Sequence, residues 1–199
     1  MKFNSDVDID FADRSRLLDL IEHTPAAMRC VDPLRKHGTG VHVTRIPYDP
    51  EHDMATIDYQ EAEARGYLKL DLLNVYVYQW VRDEAHLKEL MLEPDWDSLL
   101  DYEVFKHLVH INNHWRTMKA MPEPVNSIPR LAMFLAVIRP AKRHLVGKTW
   151  AEVSEKIWER EGEDYSFKRS HSVAYAHLVV VHMNLLKEGL GIIDDSAPF

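Results

Sequence analysis

A single cysteine in 199 residues excludes both a disulfide framework and a zinc site built on paired thiols. Cys30 therefore reads as a buried or inert thiol. Glycine is also scarce, seven in all, and no Gly-rich phosphate loop or Ser-His-Asp arrangement stands in the chain as a sequence pattern. No apolar run approaches the roughly 20 residues that span a bilayer. The opening Met1-Lys2-Phe3-Asn4-Ser5-Asp6 lacks the apolar core of a secretion signal, so the expectation is a cytoplasmic protein without membrane contact. Cations are outnumbered, 24 Lys and Arg against 32 Asp and Glu, for a formal net charge of −8. That balance counts against a broad nonspecific nucleic-acid surface, because phosphate affinity comes mainly from clustered cations releasing counterions. Any DNA contact has to be local or supplied by a partner.

The composition that is present, 46% apolar and 28% charged, is that of a globular chain long enough to bury a core. The first third alternates short strands and helices. In Asp6-Val7-Asp8-Ile9-Asp10-Phe11 apolar and acidic residues alternate strictly, which predicts a strand with its carboxylates on one face and Val7, Ile9 and Phe11 buried. A helix is expected over 13–23, and short strands over 41–44 and 55–59. Another strand is expected over 67–72, with Leu68, Leu70 and Leu72 on the core side and Lys69 and Asp71 on the other. Helical spacing then predicts helices over 74–92, 97–118, 127–138, 149–161 and 170–187. The expected architecture is mixed α/β (α+β): a small platform over 1–73 carrying a mostly helical remainder over 74–199.

Two strands presenting acids on one face are what a pair of divalent ions requires, since carboxylates must converge on both from fixed directions. If Asp71 lies beside Asp8 and Asp10, the three form an all-oxygen set suited to Mg2+ or Mn2+, and Lys69 is placed to meet a phosphate. Asp-x-Asp alone more often marks an acidic edge strand facing water. Arg130, Arg139, Lys142, Arg143, Lys148, Lys168 and Arg169 form a basic candidate region for phosphate. His107, His110 and His114 have the spacing to share one side of a helix and bind a transition metal, although packing on an apolar helix is the favoured account. Tyr76, Tyr78, Trp80 and Trp96 are candidates for base stacking or, preferably, for a hydrophobic seam.

Four segments carry a family resemblance, in the family's order, and a shorter likeness at Arg139-Pro140 accompanies them. Asp6-Val7-Asp8-Ile9-Asp10-Phe11 resembles the Pro-Asp-x-Asp-x-Asp-Phe palm motif of the bacterial replicative DNA polymerase III α subunit. Lys36-His37-Gly38-Thr39-Gly40-Val41 resembles its Arg/Lys-His-x-x-Gly-Val segment, and Lys69-Leu70-Asp71-Leu72-Leu73 its Lys-x-Asp-Phe-Leu. Phe167-Lys168-Arg169-Ser170-His171-Ser172-Val173-Ala174-Tyr175-Ala176 is similar to its Phe-Asn-Lys-Ser-His-Ser-x-Ala-Tyr-Ala fingers motif, and Arg139-Pro140 to its Arg-Pro-Gly-Pro. The resemblance implies a palm-like nucleotidyltransferase sheet with a fingers-like helical part. It further implies Asp8, Asp10 and Asp71 as ligands of two Mg2+ (or Mn2+) ions, and Lys36, His37, Lys69, Arg139, Lys168, Arg169 and His171 as contacts to nucleotide or phosphate. The implied activity is transfer of nucleotides from nucleoside triphosphates to a DNA 3′-end.

The departures from that family are as informative. Its Gly-Ser segment, which holds the incoming triphosphate, has no counterpart before Asp6, where only five residues stand. The expectation is that a second polypeptide completes the site, or that the cations above take over its work. The alternative is an inactive polymerase-derived module that binds DNA or a replication or DNA-modification partner. A chain this compact suits a phage or other mobile genome.

Overall fold

The computed structural model describes residues 7–29, 33–159 and 167–192. Cys30, Asp6 and the expected last helical turn at 160–161 lie outside them. The fold is mixed α/β and falls into two compact units, Met1–Gln79 and Trp80–Phe199, dividing within the 3-10 turn Tyr76–Trp80.

The first unit is built on a four-stranded sheet of order β1-β6-β3-β2. Strand β1 (Val7–Phe11) lies at one edge and runs parallel to β6 (Leu70–Asn74). Strand β3 (Arg35–His42) is antiparallel to β6 on one side and to β2 (Thr24–Met28) on the other. The edge position explains one departure from expectation. Ile9, expected to be buried, is 38% exposed, because an edge strand has a neighbour on one side only.

Elsewhere in this unit the predicted elements shrink or move. Helix α1 covers only Ser15–Leu18, and Leu20 is left 83% exposed. The strand expected over 41–44 starts earlier and stops at His42. The one over 55–59 is reduced to β5 (Met54–Ala55), paired with β4 (Tyr48–Asp49). Asp58 ends it by capping α2 (Tyr59–Ala64), its carboxylate accepting from the Gln60 N–H at 2.8 Å. Leu68, placed on the core side by alternation, is 38% exposed, since pairing of β6 begins only at Leu70. A small core of Ala27, Ile46, Met54, Ala55 and Ala62 closes the unit.

The second unit is helical, but the two long helices expected first are broken. The 74–92 pattern gives the 3-10 turn and then α3 (Glu84–Leu90). The 97–118 pattern gives a 3-10 turn at Trp96–Leu100, α4 (Tyr102–Phe105), a second 3-10 turn at Asn112–His114, and α5 (Trp115–Ala120). Aspartates cause part of this: Asp95 and Asp101 each accept a backbone N–H two residues on, a local bond that competes with helix propagation.

The later helices form near their expected places: α6 (Ile128–Val137), α7 (Trp150–Lys156) and α8 (Arg169–Lys187). Thr149 and Glu152 form a reciprocal capping box on α7. Helices α6 and α8 bury their apolar faces in one core with Phe105, Leu108, Ile111 and Val153. Trp96 packs against that core and donates its Nε1–H to Glu93 at 2.9 Å, in keeping with a packing role. His182, fully buried, pins two distant segments: its Nδ1 accepts from the Val109 N–H at 3.1 Å and its Nε2–H donates to the Gly191 carbonyl at 2.6 Å.

Candidate active site

The parallel register of β1 on β6 sets Asp8 directly beside Asp71, Ile9 beside Leu72 and Asp10 beside Leu73. Paired residues in a sheet share a face, and the face recurs every second residue. Asp8, Asp10, Asp71 and Lys69 therefore stand on one side. Gly40 of β3 is the next neighbour of Asp71 across the ladder, so the middle of this face is floored by a residue without a side chain.

The two strands offer their acids differently. Asp8 and Asp10, on the edge strand, are exposed. Partial burial, together with the negative charge of Asp8, pushes the Asp10 carboxyl above its ordinary value, and burial, with the Asp10 charge adding to it, raises the phenol of Tyr78. Asp71 is buried, and both of its oxygens are engaged: Oδ1 accepts from the Thr39 hydroxyl at 2.9 Å and Oδ2 accepts from the Lys69 ammonium. The Lys69 side chain is only 6% exposed and that of Asp71 11%, so the pair is largely shielded from water. The Lys69 Nζ also lies 5.3 Å from the centre of the Tyr59 ring.

Two histidines flank Lys69, and geometry fixes the first as neutral. His37 folds back along its own strand, with Nδ1 accepting from the Gly40 N–H at 2.8 Å and the Thr39 N–H at 3.2 Å. A nitrogen used as an acceptor carries no proton, so its 3.8 Å approach to Asp71 Oδ1 is proximity without ion pairing. Burial, reinforced by the Lys69 charge, holds the His37 imidazole below its usual value against the opposing pull of Asp71. His42, fully buried, donates Nδ1–H to the Leu68 carbonyl at 3.0 Å. Burial lowers it as well.

The donor chemistry fits a hard divalent ion: three carboxylates on one face, two of them exposed. The arrangement is nevertheless closed at Asp71, and among the described residues no three His, Cys, Asp or Glu side chains are gathered to hold a metal ion. The seat at Asp71 is filled by the lysine.

The other expected contacts have partners of their own. Lys36 pairs with Asp53 at 2.6 Å, both side chains exposed. Arg139, Lys168, Arg169 and His171 belong to the helical unit. There the Arg139 guanidinium sits over the Phe167 ring at 4.4 Å, Arg169 over Trp158 at 5.9 Å, and His171 meets the edge of Phe167 at 6.0 Å. The basic region loses one member outright: Lys142 is fully buried and donates to the Lys156 carbonyl at 2.6 Å, so it cannot face phosphate. Arg130 is turned to the Pro124 carbonyl at 3.0 Å and to Glu123.

His107, His110 and His114 do not share a helix, because His110 adopts a positive φ of 66° that breaks the run. Its ring packs at 4.2 Å on Tyr175, and burial with the nearby Arg139 charge pulls it down to about 4. This is a packed histidine. Sequence reasoning missed Thr39, whose only signal was its place two residues after His37 in a strand beside the acids. It also missed His42 and Tyr78 as neighbours of the carboxylate face.

No family model matches the chain, and neither the curated proteins nor the solved structures contain a match. Among the described residues no helix is long and apolar enough to cross a membrane.

Proposed function

We propose that the chain is a compact nucleotidyltransferase of the DNA polymerase III α type, with Asp8, Asp10 and Asp71 holding divalent Mg2+ or Mn2+ to transfer nucleotides to a DNA 3′-end. The observation that carries the reading is the register: residues far apart in sequence bring Asp8 and Asp71 side by side on one face, with Asp10 one pleat further along. The ions would supply electrostatic activation of the attacking hydroxyl and stabilisation of the departing pyrophosphate. The chain's own part is positional. Asp8 and Asp10 present exposed oxygens at the sheet edge, and Thr39 fixes the Asp71 carboxylate. Lys69 provides the cation beside Asp71. A partner chain contributing a Gly-Ser segment belongs to this proposal.

The test is magnesium-dependent incorporation of a labelled nucleotide into a primer–template by the wild-type protein, alone and with candidate partner chains, against Asp8→Asn. Asp8 is exposed, so its replacement leaves the fold intact. Loss of incorporation in the variant supports the assignment, and equal incorporation by the two proteins removes it. One observation favours a second reading, a non-catalytic module docking on DNA or a replication partner: both oxygens of Asp71 are already satisfied within the chain. Wild-type protein that binds primer–template but neither incorporates nucleotide nor takes up divalent ions would establish that reading instead.

A further inference from the structure

We infer that Lys69 is a tethered counter-ion, which occupies the Asp71 seat at rest and must vacate it for a divalent ion to bind there; the inference rests on the carboxylate reading above. The Asp71 end of the face is closed to cations, because Oδ2 is taken by Lys69 and Oδ1 by Thr39. An incoming ion with full affinity for Asp71 has to exchange with the ammonium, since two cations on one buried carboxylate repel each other strongly where water is scarce.

The surroundings supply what an exchange needs. The lysine stem crosses the space over Gly40, where even a single added carbon would stand 2.9 Å from its Cδ. Residue 40 thus leaves the stem a groove. The ring of Tyr59 already faces the ammonium at 5.3 Å and offers a cation a second resting place. Neither flanking histidine competes for Asp71: His37 spends its Nδ1 on its own backbone, and His42 donates its proton to Leu68. Thr39 stays behind as a neutral anchor that keeps Asp71 oriented while the lysine moves. The arrangement makes the site self-neutralising without an ion and selective for an ion that can outbid a tethered amine, which favours a divalent over a monovalent cation.

The experiment reads the lysine directly. Amines of the intact wild-type chain are acylated with a succinimidyl ester while Mg2+ is titrated, and modification at each lysine is quantified by mass spectrometry. Exposed Lys36 and Lys88 serve as internal references. Lys69 should be protected without the ion, and its rate relative to the references should rise about tenfold at saturation, the factor carried by loss of one charge-assisted hydrogen bond. In parallel, Mn2+ affinity is measured by electron paramagnetic resonance. Lys69→Met should bind Mn2+ about tenfold more tightly than wild type, and that gain should vanish when Asp71→Asn is added.

Mn2+ binding that depends on Asp8, with Lys69 acylation unchanged or slowed at saturation, overturns the counter-ion inference and leaves the carboxylate reading standing. Absence of Mn2+ binding in wild type and in Lys69→Met alike overturns both. Binding in Lys69→Met but not in wild type supports the inference in its strongest form, with the lysine winning the competition.

Discussion

Replacing Asp71 by Asn should destabilise the sheet unit far more than replacing Asp8. The reason lies in what the substitution strands. Thr39 keeps an acceptor, because the asparagine side-chain oxygen still takes its hydroxyl proton. Lys69 loses its counter-charge while remaining 6% exposed. Were the pair on the surface, the change would cost about 0–1 kcal/mol. Breaking a buried pair from one side costs about 3–5 kcal/mol, because an uncompensated charge is left in a poorly solvated place. The small exposures of both side chains put Asp71→Asn in the second regime, and exposed Asp8→Asn in the range of about ±0.5 kcal/mol typical of surface changes.

Urea denaturation followed by tyrosine and tryptophan fluorescence and by far-ultraviolet circular dichroism separates these cases. With a slope of about 2 kcal/mol/M, a loss of about 4 kcal/mol moves the midpoint by about 2 M. The double variant Lys69→Met with Asp71→Asn should recover much of that loss, since a buried pair replaced by neutral groups of similar volume is often near neutral. A midpoint for Asp71→Asn within about 0.3 M of wild type would show that the ammonium never was shielded on Asp71, and the argument built on that pair would fall with it.

Three further outcomes follow from other residues. Asp10 has its carboxyl raised by burial and by Asp8, so its ionised form is disfavoured in the folded state. The associated stability is complete below the unfolded value near 4 and is lost as pH rises through the folded one; Asp10→Asn should therefore be more stable than wild type at pH 7, with that pH dependence removed, as read by thermal melts across pH 3 to 7. His110 behaves oppositely. Held down at about 4, it is neutral when folded, and stability falls as pH drops from about 6.5 toward 4, by up to about 3 kcal/mol; His110→Asn, which tolerates the positive φ, should flatten the urea midpoint over that range. Gly40→Ala puts a methyl group against the lysine stem and the His37 ring, at 2.9 and 3.0 Å. It should cost about 1–3 kcal/mol and speed acylation of Lys69 even without divalent ions, as checked by denaturation and the mass-spectrometric assay.

The carboxylate face was legible because the strand period is an integer: Asp8 with Asp10, and Lys69 with Asp71, share a side whatever packs around them. What alternation could not supply was the neighbour of each strand. Burial of Ile9 and Leu68 failed for that reason, one lying on an edge strand and the other preceding the paired stretch. Strand β2, Thr24-Pro25-Ala26-Ala27-Met28, gave little signal, because small residues and a proline carry weak strand preference and only its partner β3 makes it a strand. The long helices were misread where apolar spacing continued through aspartates that cap and through His110 with its left-handed backbone. Composition put Lys142 with the phosphate-facing cations; only the fold shows that its amine serves a helix carbonyl. The pairing of Lys69 with Asp71 was open to inspection as two charges on one face, yet spacing alone does not tell whether such charges meet each other or a ligand.

The parallel union of the first and last strands of the sheet has a consequence for how the carboxylate face comes into being. A parallel neighbour cannot be made by a hairpin, so the chain must travel from Phe11 to Leu70 before the edge strand finds its place, and contacts of such long sequence separation form late and slowly. Asp71 meets Lys69 and Thr39 without the edge strand, whereas Asp8 and Asp10 join it only through the docking of β1 on β6. On the proposed reading, a cation held between the two strands would depend on that docking, and local detachment of the edge strand would remove its seat while the remainder of the sheet stays whole.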